Sequence, residues 1–269
     1  IDLGTVTGNV VLQIAGGISH TCVLLQSGAV KCWGANDYGQ LGQEHTNNLG
    51  DALNEMGYGL SAINLGTGRS ATAIAAGESH TCVVLDNGTS KCWGSNSFGQ
   101  LGQGHANHLG DNSSEMGDNL PAIDLGTQAI AISAGYRHTC GLLDNGTVRC
   151  WGNNDYGQLG QGHTNHIGDG SNEMGDSLDT IDLGTGRTAT AIASRGYHTC
   201  ALLDDSTVKC WGSNNQGGQL GQGHTNNVGD DTNEMGDNLD AIQLGTGKSA
   251  MKIAMGAYHS CALLNVGTL

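Results

Sequence analysis

The chain has 269 residues, 46 of them Gly and only one Pro, and its 25 acidic and 10 basic residues give a formal net charge of −15. Such a surface repels a phosphate backbone, which disfavours nucleic-acid binding, and no apolar run approaches the ~20 residues of a membrane span. The apolar residues recur with strict regularity, so the composition predicts a folded repeat array and not a disordered chain.

An internal repeat of about 60 residues organises the chain. Its markers are Trp33, Trp93, Trp151 and Trp211, together with an Ile-x-Leu-Gly-Thr element that begins at Ile1, Ile63, Ile123, Ile181 and Ile242. We therefore predict a single array over residues 1–269, with units at approximately 1–62, 63–122, 123–180 and 181–241 and a partial unit at 242–269.

Each unit is predicted to hold four short strands joined by Gly-rich turns. Residues 122–126 have the pattern of an outer strand, and the small-residue run 189–193 alternates as an innermost strand would where many units converge. A hairpin supplies the other two strands. Four short strands per unit predict the blade of an all-β propeller, and an open solenoid of hairpins is the structural alternative.

The hairpin is the most regular part of the unit, and in the third unit it runs from His138 to Gly152. A three-residue Asp-Asn-Gly loop, with Gly146 in the left-handed conformation, places Cys140 opposite Cys150 on a non-hydrogen-bonded pair. Such a pair can form a disulfide across the hairpin. The same ten-residue interval recurs in Cys22 and Cys32, Cys82 and Cys92, Cys140 and Cys150, and Cys200 and Cys210.

Buried free thiols, or half of a metal site, are the alternatives to disulfides. A metal site would favour Cys-x-x-Cys spacing, which is absent, and two cysteines per unit cannot fill a tetrahedral site alone. Disulfides persist in oxidising compartments, so this interpretation predicts a secreted or cell-surface protein.

The partner position of Cys261 would lie beyond Leu269, so Cys261 is expected to be unpaired in this segment. Residues 1–32 and 242–269 cover the same part of the repeat and duplicate each other. The sequence is therefore interpreted as a segment of a longer chain. The alternative is that exposed sheet edges at the two ends meet neighbouring copies.

The full motif is Ala-x-Gly-x-x-His-Thr-Cys-x-Leu-Leu-Asp-Asn-Gly-Thr-Val-x-Cys-Trp-Gly-x-Asn-x-x-Gly-Gln-Leu-Gly. It resembles the repeat of the regulator of chromosome condensation family over essentially the whole chain. The resemblance implies a propeller of four-stranded blades, of which this chain would be part of a seven-bladed or larger array. The cysteines and the Asn-Glu-Met-Gly-Asp insert resemble a secreted bacterial or algal branch. The nuclear founding member is a nucleotide exchange factor for a small GTPase, but its exchange-loop residues have no matched counterpart here.

A long polar segment follows each hairpin and in the third unit spans 163–178. It exceeds the usual loop length, so it is expected to be functional or tied down. Its acids could offer calcium the oxygen ligands that hard cations favour. The spacing is not that of an EF-hand, however, and such residues often serve only turns and caps. The candidate calcium ligands are Asp111, Glu115, Asp118, Asp169, Glu173, Asp176, Asp230, Glu234 and Asp237.

The remaining polar and aromatic motifs have structural interpretations. The histidine before each Thr-Cys strand is expected to bond backbone across the blade, and the tryptophans are expected to pack beside the disulfides. The second histidine of the long segment is Asn in two units, which argues against a repeated transition-metal site. The N-glycosylation acceptor pattern occurs at Asn87, Asn112 and Asn145, although a turn also explains Asn-Gly.

No catalytic residues are predicted, because every reactive group recurs with the repeat. The first hypothesis is an extracellular structural or adhesive protein whose stapled blades assemble with protein partners, including copies of itself in a filament. Near-identical long segments favour it, since a partner-binding face usually varies between blades. The alternative is a monomeric secreted propeller that binds one protein through its long loops, as the family's secreted β-lactamase inhibitor does. The acidic charge and the disulfides disfavour guanine-nucleotide exchange.

Overall fold

The computed structural model describes residues 1–4 and 10–266, and over these ranges the chain is all-β, as predicted. Its regular structure there consists of fourteen strands and three one-turn 3₁₀ helices. No helix in these ranges is long and apolar enough to span a membrane.

The strands are short, with five to seven residues each. They are β1 Val11–Gly16, β2 His20–Leu25, β3 Val30–Gly34, β4 Ala71–Ala76, β5 His80–Leu85, β6 Ser90–Gly94, β7 Ala129–Ala134, β8 His138–Leu143, β9 Val148–Gly152, β10 Ala189–Arg195, β11 His198–Leu203, β12 Val208–Gly212, β13 Ala250–Met255 and β14 Ser260–Leu264. The 3₁₀ helices are Gly117–Asn119, Gly175–Ser177 and Gly236–Asn238.

The strands form successive antiparallel meanders. Four sheets have three strands in sequence order, and β13 pairs with β14 in a fifth. The first strand of every sheet lines a common channel of about 270 Å³, whose walls include Ala75, Ala134 and Ala193. Converging strands leave room only for small side chains, which explains why the inner strands are rich in Ala. The small-residue run is therefore an innermost strand, as predicted.

Arg195 of β10 crosses this channel. Its guanidinium donates hydrogen bonds to the carbonyl oxygens of Gly16 and Gly17, at 2.5 and 3.2 Å. The inner strands of the first and fourth sheets therefore lie around one axis. The meanders are propeller blades, and they do not form an open solenoid.

The predicted fourth strand is reduced to one bridge. Ile123 donates its N–H to the carbonyl of Ser90 in the preceding hairpin, at 2.8 Å. The ladder stops there because the carbonyl of Asp124 accepts the N–H of Gly175, in the long segment of its own unit. Equivalent bonds join Ile63 to Val30, Ile181 to Val148 and Ile242 to Val208.

The hairpin register confirms the prediction from cysteine spacing. Cys140 stands opposite Cys150, and Leu143 donates its N–H to Thr147 across a three-residue loop, at 2.9 Å. Gly146 has φ +80°. The Cα atoms of the cysteines are 4.1 Å apart, the separation expected of a non-hydrogen-bonded pair.

Candidate functional site

Four disulfides cross the hairpins at the expected cysteine pairs. In each of them the Cα atoms are 4.1 Å apart and the side chains are at most 1% exposed. Cys261 is the free, exposed cysteine of the described residues. Because the eight sulfurs are bonded in pairs, neither free thiols nor a metal half-site describes these cysteines.

A buried set of polar contacts, which we call the joint, connects each blade to the next. His80 Nε2 lies 3.0 Å from Thr139 Oγ1 of the following blade, and that hydroxyl donates to the carbonyl of Gln100 at 2.9 Å. Since the hydroxyl hydrogen is used for Gln100, His80 must donate from Nε2 and carry its lone pair on Nδ1. Trp151 donates its Nε1–H to the same carbonyl, at 3.0 Å.

The joint recurs along the array, and its geometry corrects one expectation. The histidine was expected to bond backbone, but its Nε2 partner is a hydroxyl of the next blade. Within the described residues, the Nδ1 atoms of the four joint histidines have no hydrogen-bond partner. The other pairs are His20 with Thr81, His138 with Thr199 and His198 with Ser260, at 2.9, 2.9 and 3.1 Å.

Burial keeps these histidines neutral. Burial, with a smaller contribution from neighbouring histidines, lowers the pKa of His80 and His138 to about 3. It also lowers the pKa of His20 and His198 to about 4, with a smaller contribution from Arg195 to His20 and from His259 to His198. A protonated imidazole would have to be buried without a charge partner, so the joints require neutral histidine.

A glycine packs flat against His20, His80 and His138, three of the four joint histidines, and provides a test of the joint. A Cβ added at Gly135 would overlap the ring of His138, whereas one added at Gly16 would meet nothing within 4 Å. We expect Gly135→Ala to lower the free energy of unfolding by about 1–3 kcal/mol through overpacking. Gly16→Ala is the matched control. Urea denaturation measures both, and equal midpoints for the two variants would contradict this view of the joint.

The long segments are tied down by their own glutamates. Glu115 Oε2 accepts the N–H groups of Gly110 and Asn112, at 2.8 and 3.0 Å. Glu173 accepts those of Gly168 and Gly170, both at 2.8 Å. Glu55 and Glu234 close their loops in the same way.

The last acid of the segment fixes the Gly-Thr turn at the start of its unit. Asp118 accepts the N–H and the hydroxyl of Thr67, at 2.8 and 2.5 Å, and these bonds lower its pKa. Beside it, Lys91 donates to the carbonyls of Leu65 and Gly117, at 3.1 and 2.7 Å. Asp237 makes the same bonds to Thr185.

Five of the nine candidate calcium ligands, Glu115, Asp118, Glu173, Glu234 and Asp237, therefore hold backbone N–H groups. Over residues 1–4 and 10–266, no three His, Cys, Asp or Glu side chains gather closely enough to hold a metal ion. Asp111 and Glu115 do lie together, and partial burial, with Glu115 as the second cause, raises the pKa of Asp111. Calcium binding stays a prediction.

Substitution of one glutamate of a long segment distinguishes a backbone-holding role of these acids from a calcium-binding role. We expect Glu173→Ala to lower the free energy of unfolding by about 1–2 kcal/mol, because two backbone N–H groups lose a charged acceptor. Asp179→Ala removes an exposed carboxylate immediately after the same segment and serves as the control. Melting curves with added calcium and with chelator complete the test. A melting temperature that depends on calcium in the parent chain but not in Glu173→Ala would establish a metal site instead.

The histidines of the long segments have a backbone role that explains their exchange for Asn. His108 Nδ1 accepts the N–H of Asn96 at 3.0 Å. In the first unit, Asn48 Oδ1 accepts the N–H of Asn36 at the same distance. One acceptor atom is all this position requires, and His and Asn both provide it. His166 and Asn227 repeat the two versions.

The acceptor asparagines of the glycosylation pattern are exposed. Asn87 Oδ1 accepts the N–H and the hydroxyl of Thr89, at 3.2 and 2.8 Å, which stabilises the hairpin turn. Asn145 does the same with Thr147. Asn112 donates to Asp111 and Glu115. Glycosylation stays a prediction at all three.

Each long segment also packs on the preceding unit. Gly104 donates its N–H to Gly168 of the next unit at 3.0 Å, and Gly162 donates likewise to Gly229. Glu44 accepts the N–H of Met116 at 3.0 Å. The near-identity of the segments therefore follows from blade packing and does not require a lattice of equivalent external contacts.

One group of loops does not repeat in sequence, and we call them the axial loops. They are the two residues before each of the four joint histidines and before His259. Hydrogen bonds from Glu78 to Tyr136 and from Tyr136 to Gly196 link their backbones at 2.9 and 2.8 Å. Because these loops differ between units, recurrence in the sequence does not reveal them. Their variation within an otherwise constant repeat is the sequence signal that distinguishes them. The loops are Ile18 and Ser19, Glu78 and Ser79, Tyr136 and Arg137, Gly196 and Tyr197, and Ala257 and Tyr258.

Comparison with known proteins identifies the repeat. The family model described as "Regulator of chromosome condensation (RCC1) repeat" matches residues 11–40, 71–100, 129–158 and 190–217. The human E3 ubiquitin-protein ligase HERC2 is 26% identical over 253 residues, which cover 94% of this chain and 5% of that protein. The Arabidopsis thaliana ultraviolet-B receptor UVR8 is 30% identical over 79% of this chain and 43% of its own length.

Similar folds occur among solved structures. Yeast RCC1 (Prp20), crystallised bound to Kap60, superposes with a TM-score of 0.68 at 18% identity, over 96% of this chain and 54% of that one. At this identity the similarity shows the fold alone. The chain spans less than two thirds of each of these three proteins.

Proposed function

Since four stretches of the chain match the regulator of chromosome condensation repeat, we propose that it is a protein-binding propeller that works outside the cell, in an oxidising compartment. The observation that carries this proposal is that the repeated residues and the variable residues have different roles. The repeated polar residues hold the blades together, whereas the axial loops differ from blade to blade. A surface that varies on a constant scaffold is suited to one specific partner.

Two further observations support a protein as the partner. Yeast RCC1, which shares this fold, was crystallised in complex with Kap60. The net charge of −15 favours a protein partner over a nucleic acid, because a phosphate backbone would be repelled. The four buried disulfides support the exported location, since such bonds persist where the surroundings are oxidising. The proposal includes no catalytic role.

Affinity purification under native conditions tests this function. The tagged chain would be recovered from the medium and envelope of its source cells after mild chemical crosslinking, and cross-linked proteins would be identified by mass spectrometry. We expect one partner in near-stoichiometric amount. Recovery of the chain alone, or from the cytosol with reduced cysteines, would contradict the proposal.

The face of β1 supports a second candidate, structural assembly between copies. Ile14 is 68% exposed, whereas Ile74, at the equivalent position of the next blade, is 1% exposed. Leu12 is also exposed, at 61%. A blade of a second copy would cover this apolar face in the way that each interior blade covers the next. Light scattering of the chain and of Ile14→Ser would distinguish assembly, which the substitution should weaken, from a monomer in both cases.

A further inference from the structure

Aromatic residues gather on the face that carries the axial loops. We define the aromatic surface as Tyr38, Phe98, Tyr136, Tyr156, Tyr197 and Tyr258, together with Arg137. It holds five of the six tyrosines and the single Phe of the chain, and the remaining tyrosine, Tyr58, lies in a long segment. The blade joints do not need these rings, because the buried contacts there use Trp, His, Thr and Gln. Tyr38 and Tyr258 are exposed and the other four rings are half-buried, so the group as a whole is open to a binding partner.

The centre of the aromatic surface is a cleft of about 320 Å³ between the first three blades. Its walls include the rings of Tyr38, Phe98 and Tyr136, with the hydroxyl groups of three serines between them. Tyr38 is 40% exposed. Rigid aromatic rings and small hydroxyl side chains form the combination that protein-binding loops use, because rings bury much area at low entropic cost and serines adapt their hydrogen bonds. The serines are Ser79, Ser95 and Ser97.

An ion pair fixes the wall of the cleft. Arg137 Nε donates to Glu78 Oε2 at 2.7 Å, and the guanidinium carbon lies 5.1 Å from the ring centre of Phe98. A sugar would need an open ring face for stacking and unpaired polar groups for its hydroxyls. Here the guanidinium covers one face of Phe98, and the two charged groups are paired with each other. The geometry therefore favours a protein ligand over a carbohydrate.

The aromatic surface continues beyond the cleft. Tyr136 meets Tyr197 edge to face with ring centres 5.3 Å apart, and Tyr197 meets Tyr156 at 5.2 Å. Tyr258 hydrogen-bonds Tyr136 and is 56% exposed. Tyr and Arg are the residues that dominate binding energy at protein interfaces, where Lys and Glu are depleted.

The charges around the aromatic surface are acidic. Asp37 and Asp155 are exposed and immediately precede Tyr38 and Tyr156 in sequence. Glu78 chiefly, and Asp155 from farther away, raise the pKa of Arg137, so its charge is permanent and already balanced by Glu78. Arg195 brings a cation near Tyr136. The acidic charge left for a partner therefore lies with Asp37 and Asp155, in keeping with the net charge of −15.

We infer that the aromatic surface binds a basic protein segment, which inserts an apolar side chain into the cleft between Tyr38, Phe98 and Tyr136 and places Lys or Arg beside Asp37 and Asp155. This inference rests on the proposed protein-binding function and names its site and partner chemistry. The apolar side chain gains burial against the rings, and the flanking cations find complementary charge at the rim.

A display library of random twelve-residue peptides is the probe. The immobilised chain, with its disulfides intact, is used to select binders, whose affinities are then measured by fluorescence anisotropy. We expect selected peptides to share an apolar residue flanked by Lys or Arg. Their dissociation constants should rise at least about tenfold with Phe98→Ala and with Tyr136→Ala. Asp155→Asn should weaken binding less, and mainly at low salt.

Tyr58→Ala is the matched control, because it removes an exposed tyrosine from a long segment. All variants must keep the parent melting temperature and four disulfides. The inference is overturned if peptides bind Phe98→Ala and Tyr136→Ala as well as the parent, if selection yields no basic-apolar consensus, or if a glycan array shows sugar binding that Phe98→Ala abolishes. If a partner recovered by crosslinking binds these variants normally, the aromatic surface is not its site, while the proposed function stands.

Discussion

Acidification from about pH 7 to about pH 4 should lower the free energy of unfolding by about 10 kcal/mol, through the four joint histidines alone. In the folded protein the pKa of His80 and His138 is lowered to about 3, and that of His20 and His198 to about 4. In the unfolded chain each returns to about 6.5. Below that value the unfolded state binds more protons, so stability is full above about pH 6.5 and falls as the pH drops towards the folded pKa.

The expected size follows from the shifts. One pKa unit corresponds to about 1.4 kcal/mol, so each histidine contributes roughly 3 kcal/mol or more across the window. Melting temperatures measured in steps between about pH 7 and pH 5 check the slope above the range where most carboxylates protonate. His138→Gln, which keeps a donor towards Thr199, should reduce the slope by the share of one histidine. Equal slopes for the parent and this variant would show that the joints do not control acid stability.

Local geometry could be predicted well from the sequence, whereas contacts between units could not. A ten-residue interval with Gly146 in the loop determines that Cys140 faces Cys150, because hairpin register depends only on residues within the hairpin. The fourth strand was overestimated for the opposite reason. Its hydrogen bonds come from two different units, and Asp124 uses its carbonyl for Gly175. Nothing within residues 122–126 records that competition.

The candidate site shows the same limit. The acids of the long segments were identified from the sequence as possible metal ligands. Their hydrogen-bond partners are nearby backbone groups, which residue type alone does not reveal. The joint histidine was expected to be structural, and its hydroxyl partner lies in the next unit, some 60 residues away. Tyr38, Phe98 and Tyr156 of the aromatic surface recur with the repeat, but Tyr136 and Arg137 lie at positions where the repeat fails. The surface was missed because periodicity detects only the residues that recur.

Removal of one hairpin disulfide should have the other large effect. The double substitution Cys140→Ala and Cys150→Ala opens a ten-residue loop and should lower the free energy of unfolding by about 2–4 kcal/mol. Four such bonds together are comparable with the whole stability of an ordinary domain, so the fully reduced chain should unfold near room temperature. Cys261→Ala changes only an exposed thiol and should leave the melting temperature unaltered.

The number of reactive thiols tests both the disulfides that stabilise the chain and the compartment in which it works. Of nine cysteines, eight are paired, so freshly isolated chain denatured without reductant should show one reactive thiol, that of Cys261. Because the paired sulfurs are at most 1% exposed, reductant should reach them only when a blade opens, and the rate of thiol release should follow unfolding. Nine reactive thiols in native material would show that the hairpins are not stapled in the cell. The chain would then work in a reducing compartment, with its blades held by the joints alone.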